Sequence, residues 1–374
     1  MCESNMSENP KLKKICIAIH GLAHAGAERV AASWANYLVS QGYRVSIVVY
    51  ACSEDTYNLD ERVRVIPLAD TQEQYFRMPK GKQLAYMRRT IRQEAPDFLI
   101  SFLPKMQIYM MLATLGMRLK RIETVRNNPW IDKDVAGKRF LWNMCFQRSN
   151  KIVVQTKEQA LYFSKRLQKK CVVISNPVSG RFSKKIKIYE NDKVSKFVAV
   201  ARINDQKNYP MMIRAFTQIA QHEPTCMLDI YGAGTSAKVQ EVEKLIAQLG
   251  MEERIHLCGW RKDIDEILTS YDAFLMSSDY EGMPNALAEA MAAGMVCLST
   301  DCKTGPKDMI DHGKNGFLAK TGDVQSFAEG IEAISRMNRQ QCAAMGKAAK
   351  EKILEMCSAE NTLVRLKQLI ESAM

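Results

Sequence analysis

Two carboxylates and two cations mark where this chain could do chemistry. Glu281 and Glu289 stand eight positions apart in DYEGMPNALAEAMAAG (279–294), with Pro284 and a run of helix formers between them. Pro284 suits a first helical turn, which puts Glu281 just before the helix and Glu289 roughly one and a half turns inside it. Both acids face one crevice if the loop folds over the helix start. The N–H groups of Gly282, Met283 and Asn285 suit a phosphate there. A carboxylate does not bind phosphate; its partners are sugar hydroxyls, to which it makes strong hydrogen bonds. One acid on a ribose and one on a second sugar would make a nucleotide-sugar site. On spacing alone, a helix-capping Glu281 and a surface Glu289 explain the pair equally well.

The cations follow KFVAVAR. Arg202 ends that β-rich run, and Lys207 comes five positions later, just before a helix starting near Pro210. Two cations converging on a helix start make a site for a diphosphate, although strand-end loops also carry solvated Lys and Arg. Gly232 and Gly234, after CMLDIY, allow close backbone approach to a ligand. So do Gly21 and Gly26 in HGLAHAGAERV, a loop that reads as an anion site or as a tight turn. It is not G-x-G-x-x-G, and no acid follows a second strand to take a dinucleotide's ribose. His256 in RIHLCGW alternates along a strand and reads as packed rather than catalytic.

These loops need strands and helices to hold them. KKICIAIH, a glycine-containing loop, VAASWANYLVSQG and YRVSIVVY form a βαβ unit, and DFLISF, RIETVR, KIVVQT and CVVISNP continue it. A second series runs through KFVAVAR, CMLDIYGAG, RIHLCGW, DAFLMSS, MVCLSTD and NGFLAK, with helical patterns between. SGRFSKKIKIYENDKVS (179–195) lacks periodicity and reads as a linker. The chain is therefore expected to be α/β, with two parallel-sheet domains in tandem. The domains are placed at 1–183 and 184–352, and NTLVRLKQLIESAM closes the chain as an amphipathic helix within 353–374. Ligands of such sheets bind at the carboxyl ends of strands, where the motifs lie.

Composition narrows the partners. The 374 residues are 47% hydrophobic and 25% charged, as in globular proteins. The 11 cysteines show no C-x-x-C and no zinc spacing, so they read as reduced thiols in a cytoplasmic protein. The first residues lack the apolar centre of a secretion signal, and the most apolar run, 108–117, is too short to span a bilayer. Net charge is +12, and its distribution is lopsided. Residues 1–183 hold 29 Lys+Arg and 15 Asp+Glu, a balance of +14, which leaves −2 for the rest. Nucleic acid, an anionic membrane or a phosphate-bearing ligand could each answer that charge. No RNP, zinc-finger or KH pattern points to nucleic acid. Segments 105–121 and 137–148 mix basic and large apolar residues, as an interfacial helix would, although Met-rich helical stripes more often build cores than face a membrane.

E-G-M-P-N-A-L-A-E resembles the E-x(7)-E motif of retaining glycosyltransferases with the two-domain GT-B fold, particularly glycosyltransferase family 4. The AR and QKN of 201–208 resemble that family's Arg…Lys-Asn segment, and SNPV (175–178) its interdomain I-x-N-P-V. KTGPKDMIDHGKNGFLAKTGD resembles its G-P-x-E…G-x-N-G-x-L…GD region. HAGAERVAASWANYL and TVRNNP resemble its G-G-A-E-R and S-E-R-N-x-P elements. The order is the family's along nearly the whole chain.

The resemblance implies that Glu289 holds the ribose, Arg202 and Lys207 hold the phosphates, and Glu281 contacts the donor sugar. Backbone around Gly282, Met283, Pro284 and Asn285 completes the cradle, with Gly232 and Gly234 nearby. Trp260 and Arg261 face the base. Gly26, Arg126 and Asn127 border the acceptor. It further implies a nucleotide diphosphate sugar donor, UDP by family tendency, with no cofactor and no metal. No D-x-D signature occurs in a loop suited to one. Arg202 and Lys207 would take the metal's role, the reaction would retain configuration, and Glu281 would orient the sugar rather than attack it. The acceptor would be a polyprenyl-diphosphate-linked saccharide at an anionic membrane surface, as in bacterial transferases that extend surface glycans, with no nucleic acid as partner. The terminal helix would return to the first domain. Three positions depart from the pattern: Ala25 for a glycine, Val125 for a glutamate, and Asp308 for a glutamate. The first two would alter acceptor fit. A GT-B epimerase or phosphorylase, a transferase acting on a soluble or protein acceptor, and a non-catalytic basic nucleotide-sugar or nucleic-acid binder are the rival readings.

Overall fold

A computed structural model describes residues 13–23, 26–52, 57–131, 137–190 and 193–373. The departure at Ala25 and the polar leader before residue 13 lie outside the described residues. The first domain is built on β1 (Lys14–Ala18), β2 (Arg44–Val49), β3 (Arg64–Pro67), β4 (Phe98–Ser101), β5 (Lys120–Thr124), β6 (Lys151–Val154) and β7 (Cys171–Val173). They form one sheet in the order β3-β2-β1-β4-β5-β6-β7, and every pairing is parallel. The second sheet contains β8 (Lys196–Val200), β9 (Met227–Tyr231), β10 (Ile255–Gly259), β11 (Ala273–Met276), β12 (Val296–Thr300) and β13 (Phe317–Ala319). Its order is β10-β9-β8-β11-β12-β13, again all parallel.

Parallel strands covered by helices on both faces read as unbroken apolar runs, which is why IVV and AFLM were visible as strands. Only β3 escaped. It is a four-residue edge strand, RVIP, half-exposed and ending in proline, so it carries no alternation. In each sheet the strand order reverses at one seam, between β1 and β4 and between β8 and β11. Such seams open a crevice at the carboxyl ends of the strands. The fold thereby selects the loops that end β1, β4, β8 and β11.

Two expectations need correcting, and one ambiguity is resolved. The 179–195 segment is not a plain linker: Gly180–Lys184 is helical and buries Phe182 in the second domain's core. Lys187 N–H then donates to Ala293 O at 2.8 Å, and Val296 N–H donates to the Tyr189 hydroxyl at 2.8 Å. Two isolated aromatic anchors leave no periodic signal. The Met-rich helix Pro104–Ala113 is core, the reading its methionine stripe favours: Met106 and Met110 fill one core cluster while Ile108 and Met111 fill another. His256 is not packed in the core. It lies on the edge strand β10, partly exposed, with Nδ1 2.8 Å from Asp229 Oδ1.

Helix Ala359–Ser372 buries Leu366, Leu369 and Ile370 among the first sheet's core residues, beside Trp34 and Leu38. Val178 N–H donates to Cys357 O at 2.8 Å where the two crossings meet. No helix among the described residues is long and apolar enough to cross a membrane.

The first domain carries one costly residue. Glu123 on β5 is fully buried, with the Arg121 guanidinium no nearer than 3.8 Å. Burial pushes its carboxyl up to about 8, and the Arg121 charge offsets this only in part. A folded-state value above the unfolded one means the folded chain holds the extra proton. Stability is then fully present below about pH 4.3 and falls as pH rises toward 8. Glu123→Gln should flatten that slope, leaving the variant more heat-stable than wild type at pH 8. Thermal unfolding at pH 5 and pH 8 checks it; parallel slopes for the two proteins would show that the carboxylate stays ionised against Arg121.

Candidate active site

The loop leaving β8 and the loop leaving β11 are stitched together before any ligand is considered. Asn208 adopts a left-handed conformation (φ 45°), accepts from Met211 N–H and donates to Asp279 Oδ1 at 2.7 Å. Asp279 N–H donates to Gln206 O, and the Gln206 amide donates to Tyr280 O at 2.8 Å. The Ser277 hydroxyl donates to Lys207 O at 2.7 Å. Beneath them, Thr300 donates to Ser278 O at 2.6 Å and Thr304 donates to Glu281 O.

The result fixes two side chains. Lys207 Nζ meets Glu281 Oε1 at 2.5 Å, and the Ser278 hydroxyl donates to the same oxygen at 2.7 Å. Glu281 is only 6% exposed. An ammonium has three N–H donors, so this pair leaves others for an anion. Arg202 lines the same cleft and is exposed.

The opposite wall comes from the first domain. Gln155 follows β6 and donates to Asn176 Oδ1 at 2.8 Å; Asn176 donates to Asn285 Oδ1 at 2.7 Å. Arg126, just past β5, donates from Nη1 to Asn176 Oδ1 at 3.2 Å. Its guanidinium lies over the rings of Trp34 (4.6 Å) and Phe102 (4.8 Å), and burial pushes its pKa down to about 9. Ring faces attract a cation without hydrating it. Glu28 also borders the cleft; burial raises its pKa, against the lowering effects of a backbone hydrogen bond and the Arg202 charge.

The cleft between these walls encloses about 410 Å³. A roomier hollow of about 500 Å³, lined by Lys14, Arg44 and Arg62, opens at the amino ends of β1 and β2. That is the wrong end of a parallel sheet for a ligand.

Arg202, Lys207, Glu281, Gly282, Met283, Pro284 and Asn285 all border the cleft, with Gly26, Arg126 and Asn127 facing them. Helix Asn285–Ala292 starts one residue after Pro284. Five other residues do not line it. Gly232 and Gly234 are needed for packing: a Cβ would lie 1.8 Å from Ala201 O at the first and 2.6 Å from Ile203 O at the second. Trp260 is 57% exposed beyond β10, two strands out from β8. Arg261 is engaged with Asp263, through bonds of 2.9 and 2.6 Å. Glu289 is buried at the domain seam, where Arg29 donates to it. Val125 faces a core cluster with Ile108 and Trp142, so its departure from the pattern does not touch the cleft.

Sequence reasoning passed over Glu28, Leu103, Gln155 and Asn176, which also border the cleft. Gln155 and Asn176 follow strand ends, the signal that found Arg202. Leu103 carries φ 65°, which nothing in the sequence foretells. Among the described residues no group of three or more His, Cys, Asp or Glu could hold a metal ion.

The comparisons fall on both domains. A model described as Glycosyltransferase Family 4 matches residues 24–179, and one described as Glycosyl transferases group 1 matches residues 180–352. Back to back, they run from residue 24 to residue 352 and take in every strand except β1. The chain is a GT-B glycosyltransferase.

An uncharacterized glycosyltransferase of Haemophilus influenzae is 24% identical to this transferase over 333 residues, covering 86% of this chain and 90% of the relative. A Campylobacter jejuni enzyme is 23% identical over 327 residues, 86% of this chain and 89% of its own length. It is named GalNAc-alpha-(1->4)-GalNAc-alpha-(1->3)-diNAcBac-PP-undecaprenol alpha-1,4-N-acetyl-D-galactosaminyltransferase. The crystal structure of Anabaena HepE in complex with UDP and glucose superposes with a TM-score of 0.78 at 17% identity, covering 96% of this chain and 100% of the other. That likeness establishes the fold of the transferase and no more.

Proposed function

We propose that this glycosyltransferase moves a hexose or N-acetylhexosamine from a UDP-sugar to a growing lipid-linked glycan, with retention of configuration and without a metal. The observation that carries the reading is the Lys207–Glu281 pair, held at the floor of the cleft beside Arg202. Arg202 and the remaining Lys207 donors take the donor diphosphate, Glu281 orients the transferred sugar, and Glu289 takes the ribose. As the anomeric C–O bond breaks, its electron pair passes to the diphosphate oxygen. Fixed cations stabilise that charge where it develops. The acceptor hydroxyl attacks from the same face and gives its proton to the leaving phosphate.

UDP is favoured by the UDP and glucose bound to HepE, and a lipid diphosphate acceptor by the undecaprenol substrate in the Campylobacter enzyme's name. The +14 of residues 1–183, with Phe140 76% exposed beside Lys138, supports peripheral residence on an anionic membrane, at the cytoplasmic face.

Release of nucleoside diphosphate from UDP-, GDP- and ADP-sugars, with and without a polyprenyl-diphosphate-linked saccharide, tests the reading in wild type and Glu281→Gln. Acceptor-dependent release from a UDP-sugar, at least tenfold slower in the variant, is expected. Release untouched by the substitution removes Glu281 from the mechanism. Turnover only with a soluble or protein acceptor would reassign the substrate.

A further inference from the structure

Glu289 has a partner already. Arg29, on helix Gly26–Ser40 of the first domain, donates from Nη1 to Glu289 Oε1 on helix Asn285–Ala292 of the second. Glu289 is 7% exposed and the pair bridges 260 positions of sequence. The domains approach closely here: a Cβ on Gly26 would come within 2.8 Å of Asn285 Nδ2. Burial alone would lower the Arg29 pKa, but the charge and hydrogen bond of Glu289 outweigh it and the net direction is up. Tyr57 lies within electrostatic reach of both Arg29 and Glu289, and Glu28 and Arg181 act on Tyr57 in turn.

A vicinal diol uses a carboxylate best by donating to both its oxygens, and a guanidinium already bonded to one of them stands in that approach. We propose that Arg29 competes with the donor's ribose for Glu289, so that this ion pair is a latch between the domains which nucleotide binding must release. The inference rests on the reading of Glu289 as the ribose carboxylate. Its consequence is a self-imposed weakening of nucleotide affinity. Ligands that engage only Arg202 and Lys207 escape it, because they make no demand on Glu289. Released, Arg29 frees helix Gly26–Ser40 to move relative to helix Asn285–Ala292, which couples donor binding to the acceptor wall.

The test is calorimetric titration of the full chain, wild type and Arg29→Met, with UDP, GDP and ADP and with inorganic pyrophosphate. Arg29→Met should bind one nucleoside diphosphate at least about fivefold more tightly than wild type, with pyrophosphate affinity unchanged. A variant that merely loosened the fold would weaken both ligands or shift them together. Arg29→Gln, which keeps much of the side chain's volume and removes its charge, should show the same selective gain and serves if the methionine variant does not fold. Nucleotide binding that is unchanged or weaker in a folded variant overturns the latch while leaving the transferase reading intact. Failure of wild type and variants to bind any nucleoside diphosphate overturns the ribose reading, and the latch falls with it.

Discussion

Lys207→Met should lower kcat by about 10²–10³-fold, the cost of removing one fixed donor from a site of developing negative charge. Its stem still fills the space, so the loss reports the ammonium. A second effect accompanies it. Glu281 would keep only the Ser278 hydroxyl while remaining nearly inaccessible to water. Removing one partner of a buried ion pair costs on the order of 3–5 kcal/mol, because the other charge is left uncompensated. Lys207→Met should therefore also melt earlier, and Lys207→Met/Glu281→Gln should recover most of that stability and none of the activity. The double-mutant cycle separates the two roles. Rate loss below tenfold would leave the diphosphate to Arg202 alone; recovery of activity in the double variant would show that the lysine serves only to neutralise the glutamate.

Gly282→Ala is the second large effect, and it acts through shape. A Cβ there would fall 2.5 Å from Gln155 Oε1, 2.6 Å from Arg126 O and 2.9 Å from Asn127 Cα. Two of these atoms are backbone and cannot swing away, and all belong to the first domain while Gly282 belongs to the second. The domains must therefore stand apart by several tenths of an ångström or more. Displacements of about 1 Å at a reacting centre cost on the order of 10²-fold. A fall in kcat of that size is expected, with the melting temperature nearly unchanged, since neither domain core is touched. Solution scattering should show a larger radius of gyration for the variant with donor and acceptor bound. Wild-type kcat would mean that the reaction does not need this approach.

Much of the architecture was legible because parallel sheets write themselves locally. Twelve of the thirteen strands stood out as apolar runs, while β3, short and half-exposed at a sheet edge, did not. The helix Pro104–Ala113 was ambiguous because methionines and flanking basic residues suit a membrane surface as well as a core. Burial between two clusters is a property of its neighbours, not of its own composition. Gly232 and Gly234 invited a ligand-based reading, whereas their lack of a side chain serves the close passage of 201–203.

By itself, the sequence determined which residues stand at the carboxyl ends of strands, and hence that Arg202, Lys207 and Glu281 would gather at one crevice. That information is local: periodicity assigns each residue to a strand, a helix or the loop between. Only the tertiary structure decided the pairings. Lys207 with Glu281 joins loops 74 positions apart, Arg29 with Glu289 spans 260, and Gly282 against the Arg126 carbonyl depends on how the two domains meet. Such distances follow from sheet twist, loop path and domain orientation, each set by packing summed over whole cores. A motif of nine residues carries none of that sum.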